Sequence, residues 1–266
     1  MTGAGPVLVV KYGGAAMRSG RLSAAALRAL TVLAGGCRRL VLVHGGGREV
    51  SEEAARRGLT PRFVDGLRVT DPAMMDVVRT VLVDRINKDL VGQLQGAGIP
   101  AVGLSGEDAG MMTARTLRVD GVARFGRVGE VAAVDTKVLT TACEAGLLPV
   151  VASVAPDAGG LLHNLNADTA AAALAAALSA DQLVYVSDVE GLMADPADPS
   201  SVIARMGSDD LAALLRDRPP RGGMLPKLSG ALSALRSGVP VVWLVGDQAL
   251  LSACAAEPGH GTTLHR

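Results

Sequence analysis

Aromatic residues are scarce in this chain: two Phe, two Tyr and one Trp among 266 residues. A groove that stacks single-stranded nucleic acid needs several such rings, so the composition argues against that partner. Neither charge sign dominates, with 26 Lys plus Arg against 26 Asp plus Glu. A formal charge of zero gives no electrostatic reason to bind nucleic acid or an anionic membrane. Cysteine is sparse too. Cys37, Cys143 and Cys254 are widely spaced with no CxxC, which reads as reduced thiols in a cytoplasmic protein. The histidines His44, His163, His260 and His265 add no metal-ligand spacing, so no metal site is expected. The opening "MTGAGPVLVV" has neither a basic region nor a signal-type apolar stretch. The most apolar segment, "TAAAALAAALSA" at 169–180, falls short of the roughly 20 residues that span a bilayer and reads as a buried helix. Two nucleotide signatures are also missing. GxxxxGK[ST] is absent, and no apolar run leads into GxGxxG, so neither a P-loop protein nor a dinucleotide dehydrogenase is indicated.

What is present is 49% hydrophobic sequence, enough for one large α/β domain or two lobes. Val- and Leu-rich runs recur at 7–11, 40–44, 99–104, 148–154, 182–188 and 239–245. They are continuous rather than alternating, as in strands buried on both faces of a parallel sheet. Helical stretches fall between them at 21–34, 47–58, 72–96, 134–145, 166–179, 208–215 and 224–237. Asp71-Pro72 supplies a cap and a first-turn proline for the third. This alternation predicts an α/β fold, a three-layer α/β/α sandwich around a mainly parallel central sheet. Residues 111–131 alternate around "DG" and predict an antiparallel hairpin inserted in that scheme. Residues 189–207, with Pro196 and Pro199, read as a loop, and "RPPRGGM" at 218–224 as a second break. No low-complexity linker appears, so two lobes would share one continuous sheet.

Ligands of open parallel sheets sit beyond the carboxyl ends of the strands. "KYGG" at 11–14, "HGGG" at 44–47, "LSGED" at 104–108 and "SDVEG" at 187–191 each follow an apolar run. Their glycines lack Cβ and let backbone N–H groups approach an anion, which predicts a phosphate or carboxylate cradle. Taken singly, Lys11, Lys227, Arg68 and "NLNAD" at 164–168 have ordinary readings as strand-end, helix, turn and helix-start residues. Their order and company carry more.

The series "KYGGAAM", "VHGGG", "FVDGLRVTD", "VGLSGED", "GRVGEV", "NLNADTAA", "SDVEGL", "GGMLPK" and "GHGT" resembles the amino acid kinase family over essentially the whole chain. "GLRVTD" with "NADTAA" resembles its acetylglutamate kinase branch most closely. The resemblance implies an ATP-dependent phosphotransferase that moves the γ-phosphoryl group to the side-chain carboxylate of N-acetyl-L-glutamate in arginine biosynthesis. A carboxylate is already an anion at neutral pH, so no general base is needed. Positioning and positive charge then supply the catalysis. By this resemblance Lys11 and Lys227 contact the transferring phosphoryl group, and Asp168 holds the two lysines. Gly13 and Gly14 offer amides to the phosphate. Gly46 and Gly47 bind a carboxylate of the acceptor, Arg68 forks onto its α-carboxylate, and Asn164 hydrogen-bonds it. Ser187, Asp188, Val189, Gly191, Leu192 and Met224 form the nucleotide pocket. ATP arrives with Mg²⁺, and no resident metal is implied. Residues 1–180 would form the lobe that binds the amino acid and makes the dimer, and residues 181–266 the ATP lobe.

Ala15, Glu107 and His163 depart from the family's usual residues at those places, and none removes a proposed catalytic group. Glu107 is expected to be peripheral. Six residues precede the apolar run that opens at Val7. The resemblance then implies a cytoplasmic homodimer that arginine does not inhibit, with no nucleic-acid or membrane partner. Two other readings stand beside this one. The first is a kinase of a carrier-protein-linked aminoadipate or glutamate, for which Arg48, Arg56, Arg57 and Arg62 would supply basic surface. The second is a non-catalytic sensor of ATP or an amino acid.

Overall fold

The computed structural model describes residues 5–13, 16, 17, 20–64, 66–195, 197–220, 222–255 and 261–266. An eight-stranded sheet forms the centre. Its strands are β1 (Val7–Tyr12), β2 (Arg39–His44), β5 (Ala101–Leu104), β8 (Leu148–Ala152), β11 (Gln182–Ser187), β12 (Arg205–Gly207), β13 (Val241–Gly246) and β14 (Thr262–His265). They run in the order β12-β14-β13-β11-β1-β2-β8-β5. Only the β13–β14 pair is antiparallel. Every residue of β1 is buried, as the unbroken apolar run requires.

Helices cover both faces. On one side lie α1 (Ala24–Gly36), α2 (Gly47–Arg56), the rod from Pro72 to Gly96 and α9 (Leu250–Cys254). On the other lie α5 (Lys137–Glu144), α6 (Ala167–Ala177), α7 (Ser208–Asp217) and α8 (Met224–Arg236). Alternate β1 residues serve opposite cores: Leu8, Val10 and Tyr12 face the first set, Val7 and Val9 the second. The predicted three-layer sandwich is therefore what the chain forms. The sheet takes strands from both sides of residue 180.

The predicted helix at 72–96 is one continuous rod with an irregular centre. α3 (Pro72–Arg79) passes into a π-helical stretch at Thr80–Ile86 and then into α4 (Asn87–Gly96). Asp71 caps its start, its side chain accepting from Met74 N at 2.8 Å, with Pro72 in the first turn. The predicted hairpin is present: β6 (Met112–Thr116) and β7 (Val128–Val134) pair antiparallel. Its outer turn has Asp120 and Gly121 at φ 52° and 76°, flanked by a Val119–Val122 bridge, the doubly left-handed geometry that "DG" favours.

Three features differ from expectation. The run 148–154 breaks after Ala152, because the chain leaves the main sheet there and joins the hairpin in a second sheet. That sheet, ordered β6-β7-β10-β9, adds β9 (Val154–Pro156) and β10 (Leu162–Leu165). The loop at 189–207 ends in the short edge strand β12, and "GHGT" leads into β14. Both strands are short and part polar, so their pairing is set by the sheet rather than by their own pattern. A further two-stranded ribbon, β3 (Phe63–Val64) and β4 (Leu67–Arg68), projects near the carboxyl ends of the central strands.

Candidate functional site

The site is built where the sheet order turns. β1 lies between β11 and β2, so the chain runs outward from it on both sides, and the loops at its carboxyl end diverge. Lys11 is on the last turn of that strand. Its Nζ lies 2.9 Å from Asp168 Oδ1, and Lys227 Nζ lies 3.1 Å from the same oxygen. All three residues are buried, at 6%, 7% and 6% exposure for Lys11, Asp168 and Lys227. Their formal charges sum to plus one, so this buried cluster is one anion short of neutrality.

Local sequence explains each placement. Asp168 sits in the first turn of α6, where the helix dipole favours an acid. Asn166 caps that helix, its Oδ1 accepting from Asp168 N at 2.9 Å and Thr169 N at 3.2 Å. Lys227 rides on α8, which packs against α6 through Gly230. A Cβ at Gly230 would stand 2.8 Å from the Tyr185 hydroxyl and 3.2 Å from Asp168 O. Tyr185 itself donates to Asp168 O at 2.8 Å and presents its ring 5.1 Å from Lys227 Nζ. Burial pushes the Asp168 carboxyl up, but the ammonium groups of Lys11 and Lys227 outweigh it and hold the group below the usual Asp range. Burial, with the charge of Lys11 added, pulls the Lys227 ammonium below the usual Lys value against the opposing pull of Asp168 and Asp188.

Beside this cluster is a cavity of about 210 Å³ lined by Lys11, Gly45, Gly46, Gly47, Arg68, Asn164 and Asp168 among others. Gly46 and Gly47 open α2. Arg68, on β4, is buried and held on one side. Its Nη2 donates to Gly47 O at 2.6 Å and Ser51 Oγ at 2.8 Å, and its guanidinium lies 4.6 Å from the Phe63 ring centroid. Its Nη1 is buried with no hydrogen-bond partner among the described residues. An unpaired guanidinium nitrogen at a polar cavity is a receptor for a carboxylate. Asn164, on β10, donates through Nδ2 to Thr70 Oγ1 at 3.2 Å, and Thr70 in turn donates to Arg68 O at 2.8 Å.

The structure thus gathers Lys11, Asp168, Gly46, Gly47, Arg68 and Asn164 around one cavity, with Lys227 joined to it through Asp168. Gly13 stands over the lysine: a Cβ there would lie 3.1 Å from Lys11 Nζ and 3.3 Å from Gly45 N. Gly14 and Ala15 lie outside the described residues. The nucleotide candidates are not gathered into that cavity. Ser187 and Asp188 line a separate, wider depression with Arg21 and Asp247. Asp188 is near enough to Lys227 to act on its charge. Leu192 is packed in the core, its N–H bonded to Thr262 Oγ1 at 2.8 Å, and Gly191 leaves no room for a Cβ beside that same oxygen. Val189 accepts from Ser187 Oγ, and Met224 opens α8 half-buried.

Glu107 is turned to Arg79, 3.3 Å away, outside the cavity. Arg56 and Arg57 pair with Glu53, and Arg48 with Glu49 and Glu52. The helix face they share is therefore charge-balanced and not a basic platform. Reading the sequence missed Ser51, Thr70 and Tyr185. Ser51 lies one helical turn beyond Gly47 and Thr70 two residues beyond Arg68, which are local signals; Tyr185 acts on residues remote in the chain. Among the described residues, no group of three or more His, Cys, Asp or Glu is placed to hold a metal ion, and no helix is long and apolar enough to cross a membrane.

A parallel-sheet protein with an unneutralised lysine pair beside a cavity lined by a buried arginine has the charge to bring two anions together, which is the task of a phosphotransferase with an acidic acceptor. The chain belongs to the amino acid kinase family, whose sequence model matches residues 6–245. It is 43% identical to an acetylglutamate kinase of Symbiobacterium thermophilum, over 97% of this chain and 91% of that one. Its fold matches a Streptococcus mutans protein with a TM-score of 0.82 and 27% identity, covering 97% of this chain and 98% of the other. It matches equally, at 0.82 and 26% identity, an N-acetylglutamate synthase of Neisseria gonorrhoeae solved with coenzyme A and N-acetyl-glutamate, covering 98% of this chain and 59% of that one. The chain is accordingly a kinase that uses ATP and acts on a small molecule.

Proposed function

We propose that this chain transfers the γ-phosphoryl group of ATP to the side-chain carboxylate of N-acetyl-L-glutamate, forming an acyl phosphate in arginine biosynthesis. The observation that carries the reading is the Lys11–Asp168–Lys227 cluster beside a cavity that Arg68, its Nη1 unpaired among the described residues, also lines. The acceptor's α-carboxylate completes Arg68, with Asn164 and the amides of Gly46 and Gly47 fixing the rest. Its side-chain carboxylate then lies toward Lys11. The phosphoryl group supplies the missing negative charge, and charge that develops on its oxygens is met by Lys11, Lys227 and the amide of Gly13. Gly14 offers a second amide by family likeness. Asp168 takes no proton; it keeps two ammonium groups together that otherwise repel.

ATP binds along Ser187, Asp188, Val189, Gly191, Leu192 and Met224, with its phosphates reaching Lys227. The nucleotide brings its own Mg²⁺. In this reading residues 1–180 are the acceptor lobe and residues 181–266 the ATP lobe. The protein works as a cytoplasmic homodimer, a compartment in keeping with thiols that burial keeps protonated, at about 11 for Cys37 and about 12 for Cys254.

Arg68→Lys tests the acceptor assignment. Lysine retains the charge but loses the fork and its stacking on Phe63. An ADP-release assay should show KM for N-acetyl-L-glutamate raised by about tenfold or more, with KM for ATP nearly unchanged. Equal effects on both KM values would place Arg68 elsewhere in the chemistry.

A further inference from the structure

Behind the glycine loop lies a buried polar pair that the chemistry above leaves unused. His44 ends β2 and is fully buried, and Asn87 is fully buried where the π-helical stretch meets α4. His44 Nδ1 lies 3.0 Å from Gly45 O, and its Nε2 lies 3.1 Å from Asn87 Nδ2. The same Asn87 nitrogen lies 2.8 Å from Val150 O and 3.5 Å from Leu104 O. An amide NH₂ has two hydrogens, and the two shorter contacts take them, one to Val150 O and the other to Nε2. Nε2 therefore accepts, Nδ1 carries the proton, and Nδ1–H donates to Gly45 O. Burial lowers the imidazole to about 4, which keeps it neutral.

The pair is gripped by its surroundings. A Cβ on Gly103 would collide with Asn87 Oδ1, so that glycine makes the room the amide occupies. Leu82 and Ile86, one turn apart in the π-helical stretch, press on Gly46, where any Cβ would strike both side chains. π turns re-aim neighbouring side chains in this way and are common at functional sites.

We propose that His44 and Asn87 are positioning residues that aim the Gly46 N–H at the acceptor. The peptide unit is planar and trans, so the carbonyl of Gly45 and the N–H of Gly46 point in opposite directions. Pinning the carbonyl back onto His44 turns the amide outward. Asn87 fixes the imidazole that does the pinning. This inference rests on the assignment of Gly46 to the acceptor site.

The test compares Asn87→Leu, His44→Asn and His44→Gln in the full chain. Asn87→Leu should raise KM for N-acetyl-L-glutamate by about tenfold and change KM for ATP by less than about twofold. At position 44, an asparagine amide falls near the place of Nδ1 and a glutamine amide near that of Nε2. His44→Asn should therefore keep KM within about threefold of wild type, and His44→Gln should lose about tenfold. Equal effects of the two, or a parallel rise in KM for ATP, would overturn the proposal. Nitrogen-15 spectra of the wild type supply a readout independent of turnover and of variant folding. They should show His44 protonated on Nδ1, and an Nε2-protonated ring would overturn it. If the wild type phosphorylates no acid, the functional reading fails. The positioning claim is then read from the Gly46 amide resonance, which should shift in Asn87→Leu; an unmoved resonance would contradict it.

Discussion

Asp168 is the residue on which the cluster turns. Its carboxyl is held below the usual Asp range, so its share of stability is complete above about pH 4. That share is lost as pH falls through the lowered folded value, because the unfolded chain takes up the proton first. Asp168→Asn leaves two buried ammonium groups without a counter-charge and should cost about 3 kcal/mol at neutral pH. Urea midpoints measured across pH should show the gap to wild type shrinking toward acid; a gap independent of pH would refute the assignment. Lys11→Ala is the matching kinetic case. It should lower kcat about a hundredfold or more while ATP affinity changes only a few-fold, since the charge acts on the transition state. A loss confined to binding would instead suit a sensor. These residues were legible as candidates only through their order along the chain. Nothing local in "PKLSG" or "NADTA" marks Lys227 and Asp168 as partners, and the shared oxygen is a product of tertiary packing.

At the level of elements, the strands and helices that bury the most apolar surface were readable, because continuous Val and Leu runs and a capped helix start are strong local signals. β12, β14 and the joining of β9 and β10 to the predicted hairpin were not, since their pairing depends on remote partners. The π-helical stretch inside the 72–96 rod was invisible for another reason: its composition is that of any amphipathic helix, and the extra residue per turn is set by what it packs against. The α6–α8 contact gives a test at this scale. Gly230→Ala would drive a methyl group against the Tyr185 hydroxyl and the Asp168 carbonyl. It should destabilise the protein by about 1–3 kcal/mol and, by displacing Lys227, lower kcat more than KM for the acceptor. Thermal unfolding and kinetics together check this, and a stable variant with normal kcat would show that α8 is free to shift.

The proposed function joins two anion sites on one sheet. The acceptor cavity opens on the β2 side of β1 and the nucleotide candidates follow β11 on the other, so the lysines meet where the chain changes direction. In that proposal the chain brings an existing carboxylate to an existing phosphate and neutralises what lies between. The most direct measurement is ATP-dependent acyl-phosphate formation trapped as the hydroxamate, with N-acetyl-L-glutamate set against glutamate, aspartate, carbamate and free aminoadipate. The account predicts strong turnover on N-acetyl-L-glutamate and little on the others. Silence on every small acid while ATP still binds would contradict it.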